Sequence, residues 1–130
     1  MSKKQATDTK QKNIVIIDDE NEILAMLEKH LTREGGYKVK TFNNPSIAIS
    51  SLPKDTDLIL LDIMMPQMNG LDALPKLLEK SPKTKVLMMT AYSTLDKVLN
   101  AHRYGASDYI MKPFSSLSAL SSKIEEVLKK

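Results

Sequence analysis

Short apolar runs separated by stretches of helical period recur five times along this chain, and few folds accommodate that order. The runs are Ile14 to Ile17, Tyr37 to Phe42, Leu58 to Leu61, Val86 to Met89 and Tyr109 to Met111. The second alternates; the others are continuous. Continuous apolar strands are buried on both faces, and the helices between them supply the cover. The alternation predicts an α/β fold with one parallel sheet between two helical layers.

The intervening segments support this reading. Residues 20–34 carry Ile23, Leu24, Leu27 and Leu31 at helical spacing, with Glu20 and Glu22 in the first turn and Gly35–Gly36 after the last. Pro45 opens a short helix through Leu52, with Ile47, Ala48 and Leu52 on its inner face. Gly70 to Lys80 forms a third helix with Leu71, Leu74, Leu77 and Leu78 on one stripe. Pro75 lies inside it, which predicts a late start or a bend. Residues 94–104 form a fourth helix closed by Gly105, and 116–129 a last one with Leu117, Leu120, Ile124 and Leu128 inward.

A chain of 130 residues suits a single domain that buries its own core. It has no cysteine, which excludes disulfides and sulfur-based metal sites. No apolar run reaches membrane-spanning length and no signal core precedes the first strand, so a cytoplasmic protein is expected, with no membrane partner. The net charge of +3 lies in the polar segment 1–12, where Lys3, Lys4, Lys10 and Lys12 face only Asp8. The expected organisation is a flexible basic tail over 1–12 and a neutral domain over 13–130, with no direct nucleic acid binding.

Four of the runs end on a polar residue. The first leads into Asp18 and Asp19, the third into Asp62, the fourth into Thr90 and the fifth into Lys112. Taken singly, these residues have ordinary explanations as helix caps, a turn residue and a snorkelling lysine. In a parallel sheet, however, all four ends share the carboxyl edge, where open α/β sheets bind ligands. Three carboxylates placed together repel, and one lysine does not balance them. An all-oxygen site without histidine or cysteine favours a hard divalent cation, Mg²⁺ above all. His30 and His102 fall on helices away from this edge and read as surface or boundary residues.

A carboxylate beside Mg²⁺, with an ammonium and a hydroxyl opposite, is equipped for phosphoryl transfer. The carboxylate acts as nucleophile and forms an acyl phosphate, while the cations neutralise the phosphoryl oxygens. Asp62 is the nucleophile candidate, because it ends the middle of the three strands that carry the acids and the hydroxyl. Lys112 and Thr90 are the groups that contact the phosphoryl.

The segments "IVIIDDE", "DLILLDIMMPQMNG", "VLMMTAY" and "GASDYIMKPF" resemble, in order and spacing, the receiver domain of two-component response regulators, from residue 13 to about 129. The resemblance implies a flavodoxin-like (βα)5 doubly wound sheet with strand order 2-1-3-4-5. It implies phosphorylation of Asp62 by a histidine kinase or histidine phosphotransfer protein. Asp19, Asp62 and the backbone carbonyl of Met64 would bind Mg²⁺ directly, and Asp18 through water. A cis Lys112–Pro113 peptide is also implied. The switch it implies draws Thr90 toward the phosphoryl group and turns Tyr109 inward. That changes the surface of the 94–104 helix, the fifth strand and the last helix, where a downstream protein target would bind. Such a protein is a signalling switch whose only catalysis is its own phosphorylation and hydrolysis. Met64 and Tyr92 occupy positions that tune hydrolysis in that family, and their bulk predicts slow-to-moderate self-dephosphorylation.

Three other readings are weighed. A flavin or nucleotide carrier on this fold needs a glycine- or hydroxyl-rich loop after the first strand, and this chain has DDEN there. A degenerate receiver used only for interaction would have lost an acid or the lysine, and none is lost. A receiver belonging to a longer DNA-binding regulator stands beside a single-domain regulator that docks to a partner or passes phosphate along a relay. With no helix-turn-helix after the last helix, the single-domain form is the expectation.

Overall fold

The computed structural model describes residues 11–91, 96, 99 and 105–130. Five parallel strands form one sheet in the order β2-β1-β3-β4-β5. They are β1 (Asn13–Ile17), β2 (Lys38–Phe42), β3 (Leu58–Asp62), β4 (Lys85–Ala91) and β5 (Asp108–Lys112). The described helices are α1 (Asn21–Arg33), α2 (Pro45–Ser51), α3 (Gly70–Lys80) and α4 (Leu117–Leu128). The expected doubly wound fold and its strand order are both present. Of the helix expected over 94–104, only Asp96 and Leu99 are described, both helical; the rest lies outside the described residues.

Strand alternation sorts the core into two layers. Val15, Ile17, Ile59, Leu61, Val86 and Met88 pack with Ala73, Leu74 and Leu77 of α3 and Ala48 of α2. Ile14, Ile16, Leu58, Leu60, Leu87 and Met89 pack on the other face with Leu24, Leu27 and Leu31 of α1 and Leu120, Ile124 and Val127 of α4. The central strand β3 is buried throughout. It pairs with β1 on one side and β4 on the other, which explains its unbroken apolar sequence. On the edge strand β2, exposed Lys38 and Lys40 alternate with inward side chains, and edge lysines discourage pairing with another chain.

Two helix readings change in detail. Ile47 is not on the inner face of α2; it is 53% exposed, and Ala48 makes the buried contact. A seven-residue helix is two turns, too short to bury a broad face. Helix α3 does not start late: it begins at Gly70, with Asn69 accepting a hydrogen bond from the Leu71 N–H. Pro75 therefore sits in its second turn and leaves the Leu71 carbonyl without its helical donor. His30 is half-buried and shares a 2.8 Å hydrogen bond with the Ser121 hydroxyl, tying α1 to α4; His102 lies outside the described residues.

Candidate functional site

Alternation along the strands places three of the expected residues on one face. Asp18 continues the series Ile14, Ile16; Asp62 continues Leu58, Leu60; Lys112 follows Ile110. All three emerge at the carboxyl edge, on the side covered by α1 and α4. One carboxylate oxygen from each of Asp18, Asp19 and Asp62 lies within 4.8 Å of the others. Asp18 is fully buried and Asp62 is 4% exposed.

Lys112 is the counter-charge. Its Nζ lies 2.9 Å from Asp18 Oδ2, 3.4 Å from Glu20 Oε1 and 3.5 Å from Asp62 Oδ1. The other oxygen of Asp18 accepts the Glu20 backbone N–H at 2.9 Å. Asp18 is thus held at both oxygens, which fixes the lysine beside Asp62. The Lys112–Pro113 peptide is cis, as the resemblance implied. By sequence alone Glu20 is a first-turn charge on α1. It is the N-cap residue, yet its side chain makes no cap bond and reaches Lys112 instead. The run DDE carried the available signal, since a third carboxylate following two at a strand end stays within reach of the same cation.

The loop after Asp62 is pinned. The Gly70 N–H donates to the Ile63 carbonyl at 2.8 Å, closing the segment back on the strand. A Cβ on Gly70 would collide with the Asp62 carbonyl oxygen and come within 2.9 Å of Ile63 Cα. Only glycine allows α3 to start this close to the strand that presents Asp62. Met64, six residues earlier, is 57% exposed beside the site.

Thr90 follows a different alternation. It lies one residue past Met89, the register partner of Asp62, inside a strand that runs on to Ala91. It is fully buried, and its hydroxyl donates to the Ala91 carbonyl at 3.0 Å. Its register partner on β5 is Met111, while half-buried Tyr109 pairs with Met88 and packs on the α2–α3 side of the core. Thr90 and Tyr109 therefore share one sheet face on adjacent strands. Tyr92 lies outside the described residues.

The electrostatics follow from this packing. Burial and the neighbouring Asp18 charge push the Asp62 carboxyl up to about 7, against the pull of Lys112. Burial also raises Asp18, while its bonds to Glu20 and Lys112 act in the opposite sense. The carboxylates beside Lys112 raise its pKa despite burial. Three close carboxylates, the ionised form of one of them disfavoured by burial and by its neighbour's charge, form a cluster that a divalent cation would stabilise. The all-oxygen donor set fits Mg²⁺. Beside Lys112, an apolar cavity of about 310 Å³ is lined by Ile23, Met26, Pro113, Phe114 and Leu117. No local sequence pattern marks it, because its residues come from α1 and from the segment after β5.

The family model described as the response regulator receiver domain matches residues 14–125. The chain is 38% identical over 118 residues to the transcriptional regulatory protein CpxR of Escherichia coli K12, covering 90% of this chain and 49% of that protein. It is 39% identical over 103 residues to the DNA-binding transcriptional regulator NtrC of Proteus hauseri, covering 78% of this chain and 22% of that protein. Among solved structures, a CheY-like receiver domain protein from Methanospirillum hungatei JF-1 superposes with a TM-score of 0.82 at 32% identity, covering 92% of this chain and 95% of that one. The chain belongs to the response regulator receiver domain family, the signalling switches of two-component systems. It spans about half the length of CpxR and about a fifth of NtrC. No described helix is long and apolar enough to cross a membrane.

Proposed function

We propose that Asp62 accepts a phosphoryl group from a phosphohistidine on a histidine kinase or histidine phosphotransfer protein, in a Mg²⁺-dependent reaction. The observation that carries this reading is the gathering of Asp18, Asp19, Asp62 and Lys112 at one edge of the sheet. An Asp62 oxygen attacks phosphorus, the P–N bond to the donor imidazole breaks, and an acyl phosphate remains on Asp62. Lys112, held by Asp18, neutralises a phosphoryl oxygen as charge spreads over the group. Asp19, Asp62 and the Met64 carbonyl would hold Mg²⁺, with Asp18 acting through water; the ion supplies positive charge for the phosphoryl oxygens and favours the ionised form of Asp62.

The apolar cavity beside Lys112 supports docking of a donor protein against α1 and the segment after β5. Thr90 and Tyr109, on a common face, support a switch in which the Thr90 hydroxyl binds the phosphoryl group and Tyr109 moves with it. The signal would pass to a protein target at the surface around β5 and α4. Outside this self-phosphorylation and hydrolysis the chain is a switch rather than an enzyme, built as a receiver over 13–130 with a basic segment over 1–12 and acting in the cytoplasm. Whether it docks to one target or passes phosphate on is a property of that partner.

Incubation with acetyl phosphate and Mg²⁺, read by intact mass, tests the reading. One phosphoryl adduct is expected on the wild type, with none on Asp62→Asn and none when EDTA replaces Mg²⁺. An adduct on both proteins, or on neither, removes the assignment.

A further inference from the structure

The opposite edge of the sheet carries a second polar cavity that phosphoryl transfer does not use. Its volume is about 350 Å³, and Lys12, Lys54, Lys83 and Lys85 line it together with Asp55 and Asp57. These lysines come from three separate stretches: Lys12 from the entry to β1, Lys54 from the α2–β3 connection, and Lys83 and Lys85 from the α3–β4 connection and the first residue of β4. Asp57 precedes β3 and Asp62 ends it, so this cavity lies roughly 16 Å from the acidic site.

Two features bear on what this cluster can bind. The first is a surplus of positive charge, four lysines against two aspartates. Lys112, Lys123 and Lys130 each pair with a carboxylate. Among the described residues, none of the four cavity lysines does. The two aspartates in the wall are turned to the backbone and amide of Asn13: Asp57 Oδ2 accepts its N–H at 2.8 Å, and Asp55 Oδ2 accepts its Nδ2 at 3.3 Å. The second is a wall fixed from within. The buried Thr84 hydroxyl bonds the Thr56 carbonyl at 2.9 Å and meets the Ser81 hydroxyl. The Lys85 N–H donates to the Asp57 carbonyl at 3.1 Å. The stretches that carry Lys54, Lys83 and Lys85 are therefore tied to one another.

We infer that this cavity binds a small, multiply charged phosphate compound: a bare polyphosphate or the polyphosphate chain of a nucleotide. The volume is in the range of small-ligand sites, about 300–1,000 Å³. Four ammonium groups around a concave wall suit several phosphate oxygens, since lysine binds phosphate as a point charge. No aromatic side chain lines the wall, so recognition rests on the phosphates and not on a stacked base. The inference stands apart from the reading of Asp62, because the two sites occupy opposite ends of the strands.

The test is calorimetric titration of the full chain with sodium tripolyphosphate, and separately with ATP, at low ionic strength without Mg²⁺. Both anions are expected to bind with similar affinity, weakening as salt is added. Lys54→Gln with Lys83→Gln removes two exposed cavity charges and should weaken binding by about tenfold or more. The charge-matched pair Lys29→Gln with Lys76→Gln, on exposed faces of α1 and α3, should leave it within about twofold. Circular dichroism melts confirm that both variants fold. Equal weakening in the two pairs would reduce the effect to overall charge and overturn the proposal. So would ATP binding without tripolyphosphate binding, absence of heat with either anion, or binding of duplex DNA where tripolyphosphate fails.

Discussion

Asp62→Asn should make the metal-free protein more stable at neutral pH, by about 2–4 kcal/mol in urea denaturation. On the proposed function, activity and stability conflict at this residue. Asp62 is 4% exposed and sits beside buried Asp18, so its ionised form is disfavoured and its carboxyl is pushed up to about 7. In the unfolded chain the same group ionises near 3.8. Between those values the folded state binds more protons than the unfolded state. The contribution of Asp62 is therefore fully present below about pH 4 and is lost as pH rises to about 7. Asp18 is shifted in the same direction. The wild type should lose stability across that window, and the variant should lose less. Added Mg²⁺ should reverse the order, since a ligand that binds only the folded state stabilises it and the wild type retains more of the site. Urea melts at several pH values, with and without Mg²⁺, measure all of this. A wild type that gains stability from pH 5 to 7 without metal would contradict the account.

Lys112→Ala should act the other way. Its ammonium is the partner of fully buried Asp18 and the near neighbour of Asp62. Removing one member of a buried pair leaves uncompensated charge and costs about 3–5 kcal/mol, with protonation of the carboxylates recovering part of it. Phosphorylation should fall by about 10²–10³-fold, the usual effect of losing one group that stabilises a developing oxyanion. Urea melts give the first quantity and time courses of adduct formation by mass give the second. Lys112→Arg keeps the charge but not the point-like geometry, so it should recover stability better than rate. If Lys112→Ala phosphorylated at the wild-type rate, the lysine would be structural only.

The parts of the molecule that were legible in the sequence are those that repeat or that carry a large energetic penalty. The continuous run Leu58 to Leu61, bounded by helical periods on either side, reads as a strand covered on both faces, and five strand–helix units in a row leave little choice of architecture. Charges at strand ends were equally legible, because burying Asp18, Asp62 and Lys112 next to apolar runs demands mutual compensation. What escaped was set by tertiary packing. Ile47 has helical spacing but no neighbour to cover it on a two-turn helix. Pro75 suggests a late start by local chemistry, yet α3 begins at Gly70, its stripe of Leu74 and Leu77 fully buried. Thr90 reads as a strand-end residue, but β4 runs through it to Ala91, and pleating gives it the parity of Val86 and Met88 rather than that of Met89 opposite Asp62. The lysine-lined cavity joins residues far apart in the chain, and no local pattern announces it; the reach of Glu20 to Lys112 had only the run DDE to signal it.

The central claim is that the Asp62 side chain itself receives the phosphoryl group. An acyl phosphate on aspartate is reduced by borohydride to homoserine, which records the modified position. Wild-type protein treated with acetyl phosphate and Mg²⁺, then reduced, digested and sequenced by mass spectrometry, should carry homoserine at position 62 and at neither 18 nor 19. Homoserine at another aspartate, with position 62 intact, would contradict the account.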